Sequence, residues 1–192
     1  MISRILAGGI LAALIAFPVG NAVAQGKDDK AQAKRDELNK MASDTLAQLY
    51  KAKPDAKGKV ESAAGYGVFS NFGLTIVFLG GAGGKGVVHD NASKKDVYMN
   101  MGQAQAGLGI GAAKYRAVFV FKDAKTLQTF VDKGWEAGGQ GGGVAKAGKT
   151  GGAETSGSSV HPGIEIYQLS EKGALINATV AGTKYWKDGD LN

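Results

Sequence analysis

Short glycine-rich runs placed directly against apolar, β-branched segments constrain the fold of this chain more than any other feature. Residues 74–80 are apolar and are followed at once by the glycine-rich run 81–88; further glycine runs occur at 107–111, 138–143 and 148–152. β-Branched residues favour strands, and glycine in a strand lets the backbone bend or another layer approach closely. We therefore expect a glycine-rich, strongly curved sheet.

The rest of the chain supplies helices to pack on that sheet. With 192 residues, of which 44% are hydrophobic, the chain is long enough for one domain with a sizeable core. Apolar spacing predicts an amphipathic helix over 27–50, and Asp123 and Gly134 are typical of the cap and the end of a middle helix. Strands are predicted at 67–70, 74–80, 84–89, 97–101, 103–112, 118–121, 164–169 and 174–180. The predicted fold class is α+β, with the two helices packed on a mainly antiparallel sheet.

One predicted strand has a face made almost entirely of glycine. Alternation along 103–112 places Gly107, Gly109 and Gly111 on one side and larger aliphatic residues on the other. We expect another layer to pack closely against this glycine face.

The first 24 residues have the features of a cleaved export signal. Arg4 precedes an apolar region at 5–17, and Ala22 and Ala24 form an A-x-A cleavage pattern. We expect a mature domain at 25–192 that is exported to the periplasm or secreted and is peripheral to a membrane. An uncleaved membrane anchor is the alternative.

Composition and net charge limit the kinds of site and the classes of partner that the chain can have. The absence of cysteine excludes disulfides, thiolate metal sites and a cysteine nucleophile. The net charge of +6 fits an anionic membrane surface or nucleic acid. Because an exported protein seldom meets nucleic acid, we expect a membrane surface rather than nucleic acid.

Two glycine motifs resemble nucleotide-binding loops. Residues 143–150 match the Walker A pattern, and 81–86 match G-x-G-x-x-G. Both sites require a helix after the glycine loop, whose N-terminus meets phosphate. Glycine and serine follow the first motif, and a strand pattern follows the second. We therefore expect no nucleotide partner and no cofactor.

The two histidines do not form a recognisable catalytic or metal-binding pattern. His89 and His161 are far apart in sequence, and neither has a second histidine four residues away. A hydrolase that uses His161 and nearby serines, Ser158 or Ser159, is formally possible, but no G-x-S-x-G motif accompanies it. We expect no catalysis and no metal site.

Basic residues are concentrated in the middle of the chain. Six basic and only two acidic residues lie between positions 85 and 122. Strand ends and turns are expected to gather these charges on one rim of the sheet. There each charge would contribute roughly 1 kcal/mol to the binding of anionic headgroups. Tryptophan beside lysine is typical of membrane interfaces. The candidate lipid-binding residues are Lys85, Lys94, Lys95, Lys114, Arg116, Trp135 and Trp186.

The order of the glycine and aliphatic motifs resembles the SYLF-domain family of lipid-binding proteins. The similarity runs over about 35–187 and is carried by the segments 63–70, 80–88, 107–111 and 117–121. It implies binding of membrane lipids and gives no catalytic residue. Where family members often have Pro-x-Gly-Arg, this chain has Gly148 and Lys149, so the resemblance adds Lys149 to the candidate lipid-binding residues.

The sequence thus predicts non-catalytic binding of lipid or an anionic membrane surface by an exported domain. The alternative is a structural cell-envelope protein that binds other proteins or polysaccharide through its sheet.

Overall fold

An antiparallel sheet organises the part of the chain that the computed structural model describes, which comprises residues 20–71, 81–104, 115–136, 158–176 and 183–192. The helices are α1 (Gly20–Ala52), α2 (Asp55–Ser62) and α3 (Ala124–Lys133). The strands are β1 (Gly65–Ser70), β2 (Gly81–Asp90), β3 (Asp96–Ala104), β4 (Tyr115–Phe121), β5 (Trp135–Glu136), β6 (Ser158–His161), β7 (Ile164–Ser170) and β8 (Thr183–Lys187). They pair in the order β5-β8-β3-β2-β1-β4-β7-β6, and each of these pairs is antiparallel. The predicted α+β class is confirmed.

Side chains alternate between two covered faces of the sheet. On β4, Phe119 and Phe121 belong to one core cluster, whereas Val118 and Val120 belong to a second cluster. Leu127 and Phe130 of α3 complete the first cluster, while α1 and α2 supply the helical side chains of the second. Because both faces are buried, the central strands are apolar nearly throughout rather than at every second residue.

Aromatic rings on strands that are distant in the sheet order contact each other on the α3 side. The ring centroids of Tyr185 on β8 and Phe119 on β4 lie 5.2 Å apart, although β3, β2 and β1 stand between these strands. Neighbouring strands are about 4.8 Å apart, so a flat sheet would separate β8 from β4 by about 19 Å. The sheet therefore curls strongly towards α3. We call this side the concave face and the α1 side the convex face.

Gly86 on β2 makes room for the aromatic cluster on the concave face. It pairs with Phe69 on β1, and a Cβ atom at position 86 would overlap the Phe69 ring and the carbonyl oxygen of Val68. The Phe69 ring can therefore lie across β2 and contact Tyr185, with 4.8 Å between the centroids. Strand glycines here have the role that the sequence predicted for them, which is to permit close approach.

The convex face is covered by α1, α2 and the last residues of the chain. Leu38 and Leu49 of α1 are fully buried against the sheet, and Val60 of α2 packs in the same cluster. The segment 188–192 lies beside β3: Asp188 donates its backbone N–H to the carbonyl oxygen of Tyr98 at 2.9 Å. The side chain of Asn192 bonds to the same residue, accepting from its N–H and donating to its carbonyl.

The middle helix has the predicted ends. The Asp123 carboxylate accepts a hydrogen bond from the backbone N–H of Thr126 at 2.8 Å, which caps α3. At the other end Gly134 has a φ of 70°, a value that favours glycine. Because α3 follows β4 and leads to β5 at the far edge of the sheet, it crosses the concave face.

The helices on the convex face differ from the prediction. The N-terminal helix begins at Gly20 rather than at 27, and α2 was not predicted. Pro54 ends α1 as expected, but its φ of −59° also suits a helix start, so a second helix begins directly after it. Ala56 and Val60, four residues apart, give α2 its buried side.

Several predictions fall on other parts of the chain. Residues 1–19, the strand at 74–80, the glycine face at 105–112 and the Walker-like run at 143–150 lie outside the described residues. The G-x-G-x-x-G run at 81–86 is described: it continues as strand rather than helix, as predicted, but the strand begins at Gly81 instead of at 84.

The same substitution at two glycines should have opposite effects on stability. Gly86→Ala should lower the free energy of unfolding by about 1–3 kcal/mol, because the new methyl group overpacks the concave face. Gly58→Ala, on α2, meets no atom within 4 Å and should raise stability by about 0.5–1 kcal/mol through helix propensity. Denaturant unfolding of both variants measures this. A Gly86→Ala protein as stable as the parent would show that the Phe69 ring does not lie over β2.

Candidate functional site

The structure does not gather the predicted lipid-binding residues on a single rim. Lys114 and Lys149 lie outside the described residues. Among the others, Lys94 and Lys95 lie in the turn between β2 and β3, and Trp135 lies on the concave face. Basic residues that are close in sequence lie in different parts of the structure, because successive residues of a strand point to opposite faces of the sheet.

The remaining candidates form a row across the convex face, near the end of the sheet away from that turn. Pairing registers place Trp186, Asn100, Lys85, Ser70 and Arg116 side by side on five adjacent strands. Arg116 in this row bonds to α1 and Lys85 bonds to the segment 188–192, so the row is part of the packing on the convex face.

Lys85 in this row makes a largely buried ion pair. Its Nζ atom donates to Oδ2 of Asp188, and the two side chains are 17% and 3% exposed. The pairing offsets the Lys85 charge and ties the segment 188–192 to β2. Lys85 therefore contributes less to the charge of the surface than its sequence context suggested.

Arg116 and Trp186 are also engaged in packing. A guanidinium N–H of Arg116 donates to Oε1 of Gln48 on α1 at 3.2 Å. The indole of Trp186 lies over Gly102, where a Cβ atom would come within 3.0 Å of the ring. Both side chains are half-buried.

The turn between β2 and β3 presents its lysines to solvent. The Asp90 carboxylate accepts hydrogen bonds from the backbone N–H groups of Ala92 and Ser93, at 2.8 and 3.0 Å, and these bonds hold the pKa of Asp90 below its usual value. Lys94 has a φ of 58°, so the chain reverses sharply there. Lys94 and Lys95 are both exposed.

A groove of about 550 Å³ opens on the concave face beside α3, and we call it the α3 groove. Phe130 and Ile164 are buried at its base, with the half-buried Trp135 beside them, whereas Lys122 and Lys125 are exposed at its mouth. Its lining residues are Lys122, Asp123, Lys125, Thr126, Thr129, Phe130, Gly134, Trp135, Pro162, Gly163 and Ile164. The groove combines an aromatic base with a mouth that carries two lysines and the Asp123 carboxylate, a net positive charge.

The lysines of the turn and of the α3 groove lie at the same end of the sheet. Asp90, Gly65, Phe121 and Ile164 are paired in one row, and both the β2–β3 turn and Lys122 extend beyond that row. Strand spacing puts β2 and β4 about 10 Å apart. A basic rim therefore exists in part, but it joins Lys94 and Lys95 to Lys122 rather than to Lys85 or Arg116.

Trp135 connects the groove to the aromatic cluster. Its ring lies 5.8 Å from Tyr185 and 5.9 Å from Phe119 between centroids. Its indole N–H is buried, and no hydrogen-bond acceptor for it lies among the described residues.

The two histidines lie in different strands of the sheet. His89 on β2 lies with Nδ1 2.7 Å from Oδ1 of Asp96, whereas His161 lies in the edge strand β6. Within the described ranges, no group of three or more histidine, aspartate or glutamate side chains is arranged to hold a metal ion. None of the helices in those ranges is both long and apolar enough to cross a membrane.

Comparison with known proteins gives one informative similarity. The chain is 37% identical over 163 residues to Beta cell expansion factor A from Aeromonas veronii. The aligned region covers 84% of this chain but only 60% of that protein, so a large part of the relative has no counterpart here. No family model matches the chain.

The Lys85–Asp188 pair should matter for stability, whereas the turn lysines should not. Lys85→Gln leaves the Asp188 carboxylate buried without its cation and should cost about 3 kcal/mol of unfolding free energy. Lys94→Gln removes an exposed charge and should change stability by less than about 0.5 kcal/mol. Adding Asp188→Asn to Lys85→Gln should recover part of the loss in a double-mutant cycle. Equal effects of Lys85→Gln and Lys94→Gln would mean that the pair does not form in solution.

Proposed function

We propose that this chain is an exported domain that binds lipid or an anionic membrane surface and does not catalyse a reaction. The observation that carries the proposal is the α3 groove, where an aromatic base formed by Phe130 and Trp135 adjoins the lysines Lys122 and Lys125. A lipid has the complementary pattern, an apolar chain next to an anionic headgroup.

The aromatic base and the lysines of the α3 groove contribute to the binding free energy in different ways. Apolar burial contributes about 25 cal/mol per Å² and is insensitive to salt. Each lysine near an anionic surface contributes about 1 kcal/mol, and this part is screened over a Debye length of about 8 Å at physiological ionic strength. A volume of about 550 Å³ is within the usual range for small-ligand sites.

The exposed turn with Lys94 and Lys95 extends the cationic surface. It lies at the same end of the sheet as Lys122, so a membrane that contacts the mouth of the α3 groove can also contact the turn. The turn is fixed by the Asp90 hydrogen bonds, and its lysines therefore stay at this end of the sheet.

The resemblance to SYLF domains supports the same function. The motif at 63–70 includes β1, the described part of the motif at 80–88 belongs to β2, and the motif at 117–121 belongs to β4. The glycines among them, such as Gly86, are those that permit the curled sheet. We therefore include membership of the SYLF family in the proposal. A structural envelope protein that binds proteins or polysaccharide through its sheet is the alternative.

Vesicle binding at low and high salt distinguishes the electrostatic contribution of the lysines from the apolar contribution of the groove base. The full chain should co-sediment with phosphatidylglycerol vesicles and much less with phosphatidylcholine vesicles. Replacing Lys122 and Lys125 by glutamine removes two charges and should weaken the salt-sensitive binding roughly tenfold or more. The matched control replaces Lys172 and Lys184, which are exposed at the opposite end of the sheet, and should bind like the parent.

The apolar contribution to vesicle binding is tested by adding a charge to the α3 groove. Thr129→Glu places a carboxylate on an exposed lining position and should reduce the binding that survives at high salt, whereas Gln128→Glu, the neighbouring position outside the lining, should not. If the protein sediments with neither vesicle type at low salt, the lipid proposal fails and the structural alternative takes its place.

The similarity to Beta cell expansion factor A suggests a second candidate function, which is to promote the expansion of beta cells. The identity of 37% extends over most of this chain, although the chain spans only 60% of that relative. Adding the purified chain to cultured beta cells should increase their number. The Lys122→Gln/Lys125→Gln variant shows whether the effect depends on the α3 groove, and unchanged cell counts with the parent protein would exclude this function.

A further inference from the structure

A second groove, on the opposite side of the sheet, has a different chemistry. It lies between α1 and strands β1 to β3 on the convex face and has a volume of about 490 Å³; we call it the α1 groove. Its lining residues are Asn39, Ala42, Ser43, Leu46, Ala47, Tyr50, Tyr66, Val87, His89 and Asp96. The sheet separates it from the α3 groove, and the two do not share a residue.

Short side chains on α1 create this groove. Ala42, Ser43 and Ala47 lie on one side of the helix, at spacings of one, four and five residues, and line the space. Leu38 and Leu49 on the adjoining side are fully buried and hold the helix against the sheet. The helix is thus anchored along one side and leaves an opening along the other.

The polar groups of the α1 groove are aromatic or anionic. The rings of Tyr66 and His89 lie 5.2 Å apart at an interplanar angle of 31°. His89 donates from Nδ1 to Oδ1 of Asp96 at 2.7 Å, and a third of the Asp96 side chain stays exposed. The lining contains neither lysine nor arginine, in a chain whose net charge is +6. Lys94 and Lys95 precede Asp96 in the chain but lie outside the lining.

Burial is the main influence on the tyrosine hydroxyls of this groove, and nearby carboxylates add to it. Burial, together with the Asp96 carboxylate, raises the pKa of Tyr66. Burial raises the pKa of Tyr50 to about 12, with contributions from Tyr66 and from Glu61 on α2. Two carboxylates therefore act on this region of the convex face, and a bound cation would be favoured there.

We propose that the α1 groove binds an organic ammonium ion between the rings of Tyr50 and Tyr66 and the carboxylate of Asp96. Aromatic faces attract cations by about 0.5–2 kcal/mol, depending on desolvation. A carboxylate adds direct charge attraction, which is stronger at the protein surface than in bulk water. The volume of the groove exceeds that of an inorganic cation, so a substituted ammonium such as choline fits the site better.

The ammonium group has two possible sources, a free amine or the headgroup of a phosphatidylcholine. Both present the same trimethylammonium to the aromatic rings. The inference does not depend on the α3 groove, because that site is argued to take an anionic headgroup on the other side of the sheet.

Calorimetric titration of the full chain with choline chloride tests the site, with sodium chloride as the ionic-strength reference. Choline should bind saturably at millimolar concentration. Asp96→Asn should raise the Kd about tenfold or more, equivalent to 1.4 kcal/mol, and Tyr66→Leu should weaken binding similarly. The matched control is Asp132→Asn, which removes an exposed carboxylate from α3 on the other side of the sheet and should leave the Kd unchanged.

The outcomes separate the inference from its alternatives. Circular dichroism checks that each variant is folded, and Tyr66→Phe, which keeps the ring, should bind nearly as well as the parent. If choline releases the smaller fraction of the chain that sediments with phosphatidylcholine vesicles, the source is the lipid headgroup; if that fraction is unchanged by choline, the source is a free amine. Absence of saturable choline binding, or equal loss in Asp96→Asn and Asp132→Asn, overturns the proposal.

Discussion

The contact between aromatic rings on β4 and β8 is the interaction on which the rest of the structure depends. Phe119 and Tyr185 meet across three intervening strands, and Phe130 of α3 lies 5.6 Å from each of them. Each such pair contributes about 0.5–1.5 kcal/mol beyond its buried area. The contacts require a curled sheet, and the curl in turn requires small residues such as Gly86 where the rings lie over the strands.

This curl gives the two faces of one sheet different uses. The concave face holds α3 and leaves the α3 groove, with its aromatic base and lysine mouth. The convex face is covered by α1, whose short side chains leave the α1 groove, with its rings and carboxylate. The two proposed sites therefore prefer ligands of opposite charge. Because the sheet lies between them, substitutions in one groove can be tested without altering the lining of the other.

Some polar groups serve the fold rather than a ligand. Lys85 and Asp188 form a largely buried pair that ties the last residues of the chain to the sheet. On the concave face, the hydroxyl groups of Tyr115 and Tyr185 lie near that of Thr183, but among the described residues none of the three has a partner at full hydrogen-bond geometry. Burial raises the pKa of both tyrosines, so these side chains stay neutral in the core.

Local patterns in the sequence determined the secondary structure and the fold class. Short apolar runs predicted β1 and β4, alternating apolar residues predicted β7, and the Asp123 cap and Gly134 end predicted α3, because each signal depends on residues close together in the chain. The helix α2 was missed, since its sequence has weak helix propensity and the helix is held by burial of Ala56 and Val60.

The sites depended on tertiary structure to a greater degree. Only the curl and the strand order bring Trp135 to Lys122, or Tyr66 and Asp96 to the small residues of α1. Strand pairing joins residues that are distant in sequence, and a one-residue change of register reverses the face on which each side chain lies.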